Sequence, residues 1–163
     1  MKTLYTARLR LRPRRLDDLE AILAMDADPE VRRHLGGPPE PTAHRAAIRV
    51  AIEAGASVDY RMWVIEERDR PGFLGQCGLR SCHLPNHIEL TWRLPRVTWR
   101  QGFASEAAAA VMAHARHDLG HRVFAAFIEP ANEASQRVTA KIGLHAAGET
   151  VMFGKRQLVW RCD

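Results

Sequence analysis

The stretch HIELTWRLPRVTWRQGFASEAAAAVMAHARHDLG, residues 87–120, decides the fold. Apolar side chains take every second position of residues 87–94, and polar side chains lie between them. This period of two predicts a β-strand. Residues 106–119 are rich in alanine and are followed by Gly120, which predicts an α-helix that ends at a glycine. The segment is therefore expected to run from a strand through a short loop into a helix.

The loop of this unit is a candidate binding site for an anion. It reads Trp99-Arg100-Gln101-Gly102-Phe103-Ala104-Ser105. Backbone N–H groups that precede a helix lack intrahelical partners, and small residues such as Gly102 and Ala104 let an anion approach them. The loop is expected to cradle a phosphate or pyrophosphate, with Arg100 adding charge, and the alternative is a plain tight turn. It has neither the Lys-Ser/Thr of a P-loop nor the three glycines of the dinucleotide fingerprint.

A second strand-to-helix junction follows in the chain. Residues 123–128 are apolar throughout, as in a strand covered on both faces, and residues 132–142 have helical spacing of apolar side chains. Between them, Asn132 either caps the helix or joins Ser135 in hydrogen bonding a ligand. Two such junctions at one sheet edge form the kind of crevice in which α/β proteins bind ligands.

The rest of the chain predicts further strands and helices around these two units. They are a strand over 7–11 that stops at Pro13, a helix from Asp17, a surface loop over 36–41, a helix from Thr42 to Gly55 that buries Ala47, Ile48, Ala51 and Ile52, a hairpin of 60–66 and 73–79, and a closing hairpin of 150–153 and 157–161. We therefore expect an α/β (α+β mixed) fold: one domain over residues 1–163 with a central, twisted, mixed but mostly antiparallel sheet of about six to seven strands, flanked by about four helices.

Composition narrows the class of protein. Of the 163 residues, 46% are apolar and 26% are charged, so the chain is long enough to bury a core and is neither disordered nor fibrous. No apolar run approaches the roughly 18 residues that cross a bilayer, and residues 1–15 lack the apolar segment of a signal peptide. Cys77, Cys82 and Cys162 form no C-x-x-C pair, which is typical of free thiols in a reducing compartment. We expect a cytoplasmic protein without a membrane partner.

The charge of the chain favours an anionic partner without choosing one. Lysine plus arginine number 24 against 19 acidic residues. Such an excess suits a nucleic acid and equally a polyanionic cofactor. The arginines at positions 8, 10, 12, 14 and 15 form either a nucleic-acid stripe or, as we favour, the outer face of an edge strand whose charges discourage pairing with another sheet.

Several segments occur in a recognisable order. They are Thr6–Pro13 with Asp17-Asp18-Leu19, Phe73–Leu79, Glu89–Trp92, Trp99–Ala107, and Pro130–Leu144 with its Asn132, Ser135, Arg137, Lys141 and Gly143. In this order and spacing they resemble the GNAT N-acetyltransferase superfamily, in particular its RimJ/RimL-like branch. Nearly the whole chain takes part in the resemblance.

The resemblance implies acetyl-CoA as the acyl donor and no metal. The implied cofactor-binding residues are Arg93, Leu94, Trp99, Arg100, Gln101, Gly102, Phe103, Ala104, Ser105, Asn132, Ser135, Arg137 and Lys141. The backbone amides of the loop would hold the CoA pyrophosphate, and backbone groups near Arg93 and Leu94 would pair with the pantetheine arm. Asn132 would bind the same arm, while Arg137 and Lys141 would reach the nucleotide phosphates.

Acetyl transfer to an amine needs a base, because alkylamines are mostly protonated at pH 7. Glu89 is the candidate, since it lies on the polar face of a central strand where burial would raise its pKa. The alternatives are Glu129, a water, or a Glu89 that is merely paired with a neighbouring arginine. Ser135 would protonate the departing thiolate or only hydrogen bond to it. The tyrosine that the superfamily often uses as the proton donor is Thr139 here, which leaves Ser135 as the better candidate.

The predicted function is acetyl transfer to a primary amine, either a protein N-terminus or a small molecule, directly within a ternary complex. Residues 38–56 and the last hairpin are expected to form the acceptor surface. One alternative is a basic module that binds ribosomes or RNA. Another is a CoA-binding relative without turnover, which the departures from the superfamily pattern at Trp99 and Thr139 keep open. The oligomeric state, a homodimer included, stays open.

Two other groups of residues carry no prediction of a site. His114, His117 and His121 have a spacing that could hold zinc, but no fourth ligand has suitable spacing. We expect solvated histidines instead. The cysteines have no evident catalytic histidine, so we expect them to be packed in strands or in the core.

Overall fold

The computed structural model describes residues 1–35, 39–57, 60–152 and 154–162, which contain eight strands and five α-helices. The strands are β1 (Leu4–Tyr5), β2 (Leu9–Pro13), β3 (Tyr60–Glu67), β4 (Gly75–Ser81), β5 (His87–Arg93), β6 (Val123–Ile128), β7 (His145–Met152) and β8 (Lys155–Cys162). The helices are α1 (Leu19–Ala27), α2 (Pro29–Arg32), α3 (Pro41–Glu53), α4 (Phe103–Asp118) and α5 (Glu133–Lys141). The predicted loop over 36–41 and the predicted strand end at Phe153 lie partly outside the described residues.

The described strands form one sheet in the order β1-β2-β3-β4-β5-β6-β8-β7. Neighbouring strands are antiparallel, except that β5 and β6 run parallel. Pairing of β5 with β6 ends at Glu89 opposite Ala125, although the strands continue to Arg93 and Ile128. The two strands therefore separate toward their C-terminal ends, which lead into α4 and α5.

Both faces of the sheet are covered. On one face, Trp63, Leu79 and Leu90 belong to a buried cluster that includes Val111 of α4. The side chains that alternate with Leu90 along β5 point to the opposite face, where Arg93 bonds to Asp26 of α1. The face that carries Glu89 and Arg93 is thus the one covered by the first helices.

The predicted fold class is confirmed, with differences in the number of elements. Eight strands replace the expected six or seven among the described residues, and five helices replace the expected four. The additional strand β1 has two residues, and most of β7 is exposed, so neither shows an alternating pattern in the sequence. No described helix is both long and apolar enough to cross a bilayer.

Two local predictions about helices are wrong. Helix α4 begins at Phe103 rather than at Glu106, because Gly102 with φ 81° turns the chain and the ring of Phe103 is buried. Ala47 was expected to be buried in α3 but is exposed, since the buried side of that helix centres on Ile52.

The N-terminal arginines do not lie on an edge strand, because β1 flanks β2. Arg10 and Arg12 bind Glu66 at 2.7 and 3.0 Å, and Arg12 also binds Asp18 at 2.6 Å. These ion pairs link β2 to β3 and to the turn before α1. Carboxylates therefore compensate the charge of these two arginines.

Candidate functional site

A groove of about 410 Å³ opens where β5 and β6 separate. Residues 92–94 at the end of β5 form one wall, and residues 98–100 and 102–105, before and in α4, form the next. The predicted site residue Gln101 does not line the groove, because its carbonyl oxygen accepts from Arg8 and its Nε2 donates to Val97 O. One side of α5, from its start to Lys141, and residues 30, 31 and 33–35 complete the groove. Because apolar side chains alternate with basic ones in these walls, the groove suits an elongated ligand that carries negative charge.

The loop before α4 presents a row of backbone N–H groups. Arg100 and Gly102 have φ angles of 62° and 81°, and no side chain caps the helix. Within the described chain, the first amide of this helix with a backbone acceptor is that of Glu106, which donates to Gly102 O at 3.1 Å. The amides of residues 100–105 are therefore available to a ligand, and the helix dipole adds positive potential. The exposed amides are compatible with a pyrophosphate, and the pyrophosphate site stays a prediction from the sequence.

Side chains fix the approach to this loop. Trp99 Nε1 donates to Leu94 O at 2.7 Å, and Thr98 Oγ1 lies 3.1 Å from Leu74 O and 2.8 Å from Pro95 O. Trp99, which departs from the superfamily pattern, thus ties the loop to the end of β5. Its contribution to binding is expected to be the position of the neighbouring amides.

A side chain from the N-terminal segment braces the loop from behind. Arg8 Nη1 donates to Gln101 O at 3.0 Å, and its Nη2 lies 2.6 Å from Glu106 Oε2. Glu106 Oε1 also accepts from Thr6 Oγ1 at 2.5 Å, and the Arg8 guanidinium lies 5.0 Å from the Phe103 ring centre. These contacts hold the loop shape that exposes the amides.

We expect Arg8→Met to weaken CoA binding by about threefold to tenfold, because one net hydrogen bond is worth roughly 0.5–1.5 kcal/mol. The substitution frees Gln101 O but removes no atom from the groove walls. Calorimetric titration with CoA measures the effect. Arg10→Met is the matched control, since it removes the same charge from β2 at a pair with Glu66 away from the loop. Equal affinities of the two variants would contradict the bracing role.

The start of α5 supplies polar groups to the groove. Asn132 Oδ1 accepts from Ser135 N at 3.1 Å, so Asn132 caps the helix, while its NH₂ group stays available for a ligand. Asn132, Ser135, Arg137 and Lys141 all line the groove. Asn132 can therefore take both roles considered for it, as the cap of α5 and as a hydrogen-bonding partner of a ligand.

Thr139 does not replace the superfamily's tyrosine as a proton donor. Its side chain is fully buried, and Oγ1 donates to Gln136 O at 2.7 Å. The hydroxyl therefore faces the helix backbone rather than the groove. Ser135 keeps the role of candidate donor.

Glu89 is buried and also paired with an arginine. It is 4% exposed, and Arg80 donates from Nε and Nη2 to its two oxygens at 2.8 and 2.6 Å. Burial raises the pKa of Glu89, and the hydrogen bonds from Arg80 offset part of this effect. Glu89 lies opposite Ala125 on the last paired step before β5 and β6 separate, and it does not line the groove. A bridging water would be needed to connect it with an amine in the groove.

The rival base, Glu129, follows the end of β6. Its Oε2 lies 3.5 Å from His34 Nδ1 and 3.4 Å from Lys155 Nζ. His34 lines the groove, whereas Glu129 does not. Glu129 is thus held by two basic groups behind the wall.

Sequence reasoning missed three parts of this site. They are the Arg8 brace, the wall formed by residues 30–35, and a cluster in which Asp26 bonds to Arg93 and His44. Only the cluster at Asp26 had a partial signal in the sequence, because an aspartate inside the apolar pattern of α1 needs a buried partner. Which residue pairs with it depends on contacts between distant segments.

The residues set aside in the sequence show no competing site. No group of three or more His, Cys, Asp or Glu side chains in the described residues is arranged to hold a metal. The expectation of solvated histidines is wrong for His114, whose side chain is buried: it binds Asp118 at 2.5 Å and packs edge-on against Trp63. Burial raises the pKa of Cys77 to about 12, so its thiol is unreactive at neutral pH.

Comparison with known proteins places the chain in a family. A family profile described as Acetyltransferase (GNAT) domain matches residues 8–145. The uncharacterized protein YkkB of Bacillus subtilis is 30% identical over 145 residues, which cover 87% of this chain and 84% of YkkB. The uncharacterized N-acetyltransferase YoaA of the same organism is 30% identical over 148 residues, which cover 89% of this chain and 84% of YoaA.

Solved structures show the same fold. An acetyltransferase from Agrobacterium tumefaciens has a TM-score of 0.82 at 24% identity, with 100% of this chain and 95% of that chain covered. RimL, a ribosomal L7/L12 alpha-N-protein acetyltransferase in complex with coenzyme A, has a TM-score of 0.82 at 15% identity, with 99% and 97% covered. Spermidine N-acetyltransferase from Vibrio cholerae, in complex with CoA and spermine, has a TM-score of 0.77 at 16% identity, with 96% and 94% covered.

The separated parallel strands and the loop before α4 are those of an α/β protein with a groove at a strand-to-helix junction. The chain belongs to the GNAT acetyltransferase family, and it is an acyltransferase. The resemblance found in the sequence is confirmed at this level. Its assignment to the RimJ/RimL-like branch stays a prediction, because 15% identity to RimL shows the fold alone.

Proposed function

We propose that the protein transfers an acetyl group from acetyl-CoA to a primary amine. The row of free backbone amides over residues 100–105 carries this proposal, because it is suited to the CoA pyrophosphate. Backbone groups of β5 near Arg93 and Leu94 lack a strand partner on the side of β6, so they can pair with the pantetheine arm. The CoA complexes of RimL and of the spermidine acetyltransferase support the choice of donor.

The other end of the groove holds side chains for the rest of the donor. Asn132 can hydrogen bond the pantetheine arm through its NH₂ group. Arg137 and Lys141 lie on the exposed side of α5 and can reach the nucleotide phosphates. Arg137 also forms an ion pair with Glu133, in which Nη1 lies 3.3 Å from Oε2. The groove is thereby positively charged along the length that CoA would occupy.

The reaction is direct transfer within a ternary complex. The neutral amine nitrogen forms a bond to the thioester carbonyl carbon, and the C–S bond breaks with its electron pair going to sulfur. Glu89, through a water, takes the proton that the amine must lose. Ser135 hydrogen bonds to the departing thiolate or protonates it. Glu129 is the alternative base.

The acceptor is an amine of a protein N-terminus or of a small molecule. Glu30, Val31, Arg33, His34 and Leu35 also line the groove, which makes them a described surface on which the acceptor can lie. The predicted contribution from residues 38–56 and the last hairpin stays a prediction. RimL acts on a protein and the Vibrio enzyme on spermidine, so both acceptor classes occur on this fold.

Titration with CoA and an assay of thiol release test the proposal. We expect binding heat with CoA, and release of free thiol from acetyl-CoA that requires both protein and an amine, with an acetylated product by mass spectrometry. The screen uses short peptides and small amines. CoA binding without thiol release in the whole screen would favour a relative without turnover. Absence of CoA binding would overturn the proposal, and salt-sensitive RNA binding in its place would favour the RNA module.

A further inference from the structure

Beside the groove, three helices and β5 meet at one buried carboxylate. Asp26 of α1 is 1% exposed. Its Oδ1 accepts from Arg93 Nη1 at 2.5 Å, and its Oδ2 lies 2.9 Å from His44 Nε2 on α3. Arg32, at the end of α2, is the third basic residue near it. The cluster therefore gathers basic groups from separate segments around a single acid.

The basic groups of the cluster are close enough to affect one another. Burial lowers the pKa of Arg32, and the nearby Arg93 guanidinium lowers it further, while Asp26 acts in the opposite direction. Two guanidinium groups in one partly buried region repel each other unless anions separate them. Asp26 supplies one negative charge and divides it between Arg93 and His44.

Arg93 is the member of this cluster that lines the groove and places a positive charge there. Its side chain is 26% exposed, and the residue lines the groove next to Leu94. A guanidinium has five N–H donors. In the described residues Asp26 accepts from Nη1, and Nε is buried and does not reach the groove, so the donors left for a ligand are those of Nη2. Arg93 therefore retains hydrogen-bonding capacity and positive charge at a wall of the groove. The ion pair with Asp26 holds the Arg93 guanidinium in this position.

Resting on the proposed acetyl transfer, we propose that Arg93 binds an anionic group of the acceptor, so that the substrate is an amine that also carries a carboxylate. A planar guanidinium suits a carboxylate, which can accept two parallel hydrogen bonds. Arg93 lines the same groove as the loop before α4, so an amino acid bound there can place its carboxylate on Arg93 and its amine toward the thioester. Asp26 and His44 are positioning residues in this arrangement. A phosphate could use the same donors, and the test separates the two anions.

Matched acceptor pairs test the inference. L-amino acids are compared with their carboxamides, and O-phosphoethanolamine with ethanolamine, at equal concentrations of neutral amine, with spermidine as a cationic acceptor. We expect kcat/KM for the best amino acid to exceed that of its amide by at least about tenfold, which corresponds to roughly 1.4 kcal/mol. Arg93→Met is expected to remove this preference mainly through KM, with the Kd for CoA changed by less than about threefold. His44→Gln, which keeps a donor for Asp26, is expected to reduce the preference in part.

A charge-matched variant and separate readouts distinguish the outcomes. Arg96→Met removes a positive charge from an exposed site near Asp28, and it should leave the preference unchanged. A preference for amides or spermidine overturns the inference while leaving acetyl transfer intact. A preference for O-phosphoethanolamine keeps Arg93 as the anion site but rejects the carboxylate. Loss of CoA affinity in Arg93→Met with an unchanged preference assigns the side chain to the donor and overturns the inference. Thiol release with none of the amines overturns the proposed function as well.

Discussion

Glu89→Gln is expected to lower kcat by about 10²–10³-fold, because a positioned base contributes roughly 10²–10⁴-fold to a proton transfer. Glutamine keeps the size of the side chain and can still accept a hydrogen bond from Arg80 at the end of the paired strands. It cannot take a proton from the amine. Steady-state thiol release measures kcat, and titration with CoA checks that the groove is unchanged.

The pH profile gives an independent readout of Glu89. Burial raises the pKa of this carboxyl group above its usual range, and Arg80 reverses part of that rise. The active form is the carboxylate, so kcat should increase with pH through this raised pKa. We expect the increase to be lost in Glu89→Gln. An unchanged pH profile in the variant would mean that the increase of kcat with pH reports the titration of another group.

Two further variants rank the candidates. Ser135→Ala is expected to lower kcat by less than about tenfold, because a thiol has a pKa near 8.5 and its thiolate departs with little assistance. Glu129→Gln tests the rival base behind the groove wall. Equal losses in Glu89→Gln and Ser135→Ala, or a larger loss in Ser135→Ala, would reverse the ranking. A loss confined to Glu129→Gln would transfer the role to Glu129.

The parts of the site that the sequence could predict are those that a local pattern specifies. The alternation over residues 87–94, the apolar strand over 123–128 and the helices after them are periodic, and periodicity follows from where each side chain must point. The position of Gly102 between a strand and a helix predicted either an anion-binding loop or a tight turn, and the second junction at Asn132 favoured the binding loop. The burial of Glu89 was predicted only as one of two possibilities, because an alternating strand leaves open whether its polar face is covered by helices or by solvent.

The parts that could not be predicted depend on contacts between distant segments. Arg8 bonds to Gln101 and Glu106, and nothing in the local pattern around Arg8 distinguishes it from Arg10 or Arg12. The same holds for Asp26, whose partners come from β5 and α3. Such pairings are selected by the packing of the whole sheet, so a sequence alone restricts them only to complementary charges.

Gly102→Val is expected to weaken CoA binding by about tenfold to a hundredfold. Gly102 has φ 81°, a conformation that costs a residue with a Cβ roughly 1–2 kcal/mol and a β-branched residue more. A Cβ at this position would also lie 3.3 Å from Arg8 Nη2, within the brace that supports the loop. The contact with Arg8 needs only a small shift of that side chain, but relief of the strain at φ 81° requires the backbone to rotate, which turns the amides of the following residues away from the groove.

Gly120→Val is the matched control for this prediction. Gly120 follows α4 at its other end, has φ 77°, and has no atom within 4 Å of a Cβ among the described residues. The two variants therefore carry similar backbone strain and should lose similar thermal stability, about 2–4 °C in Tm for each kcal/mol. CoA affinity separates them, because Gly102 shapes the row of amides and Gly120 does not. If both variants bind CoA as tightly as the original protein, the loop amides are not the pyrophosphate site. If both lose affinity equally, the loss reflects general destabilisation rather than the geometry of the loop.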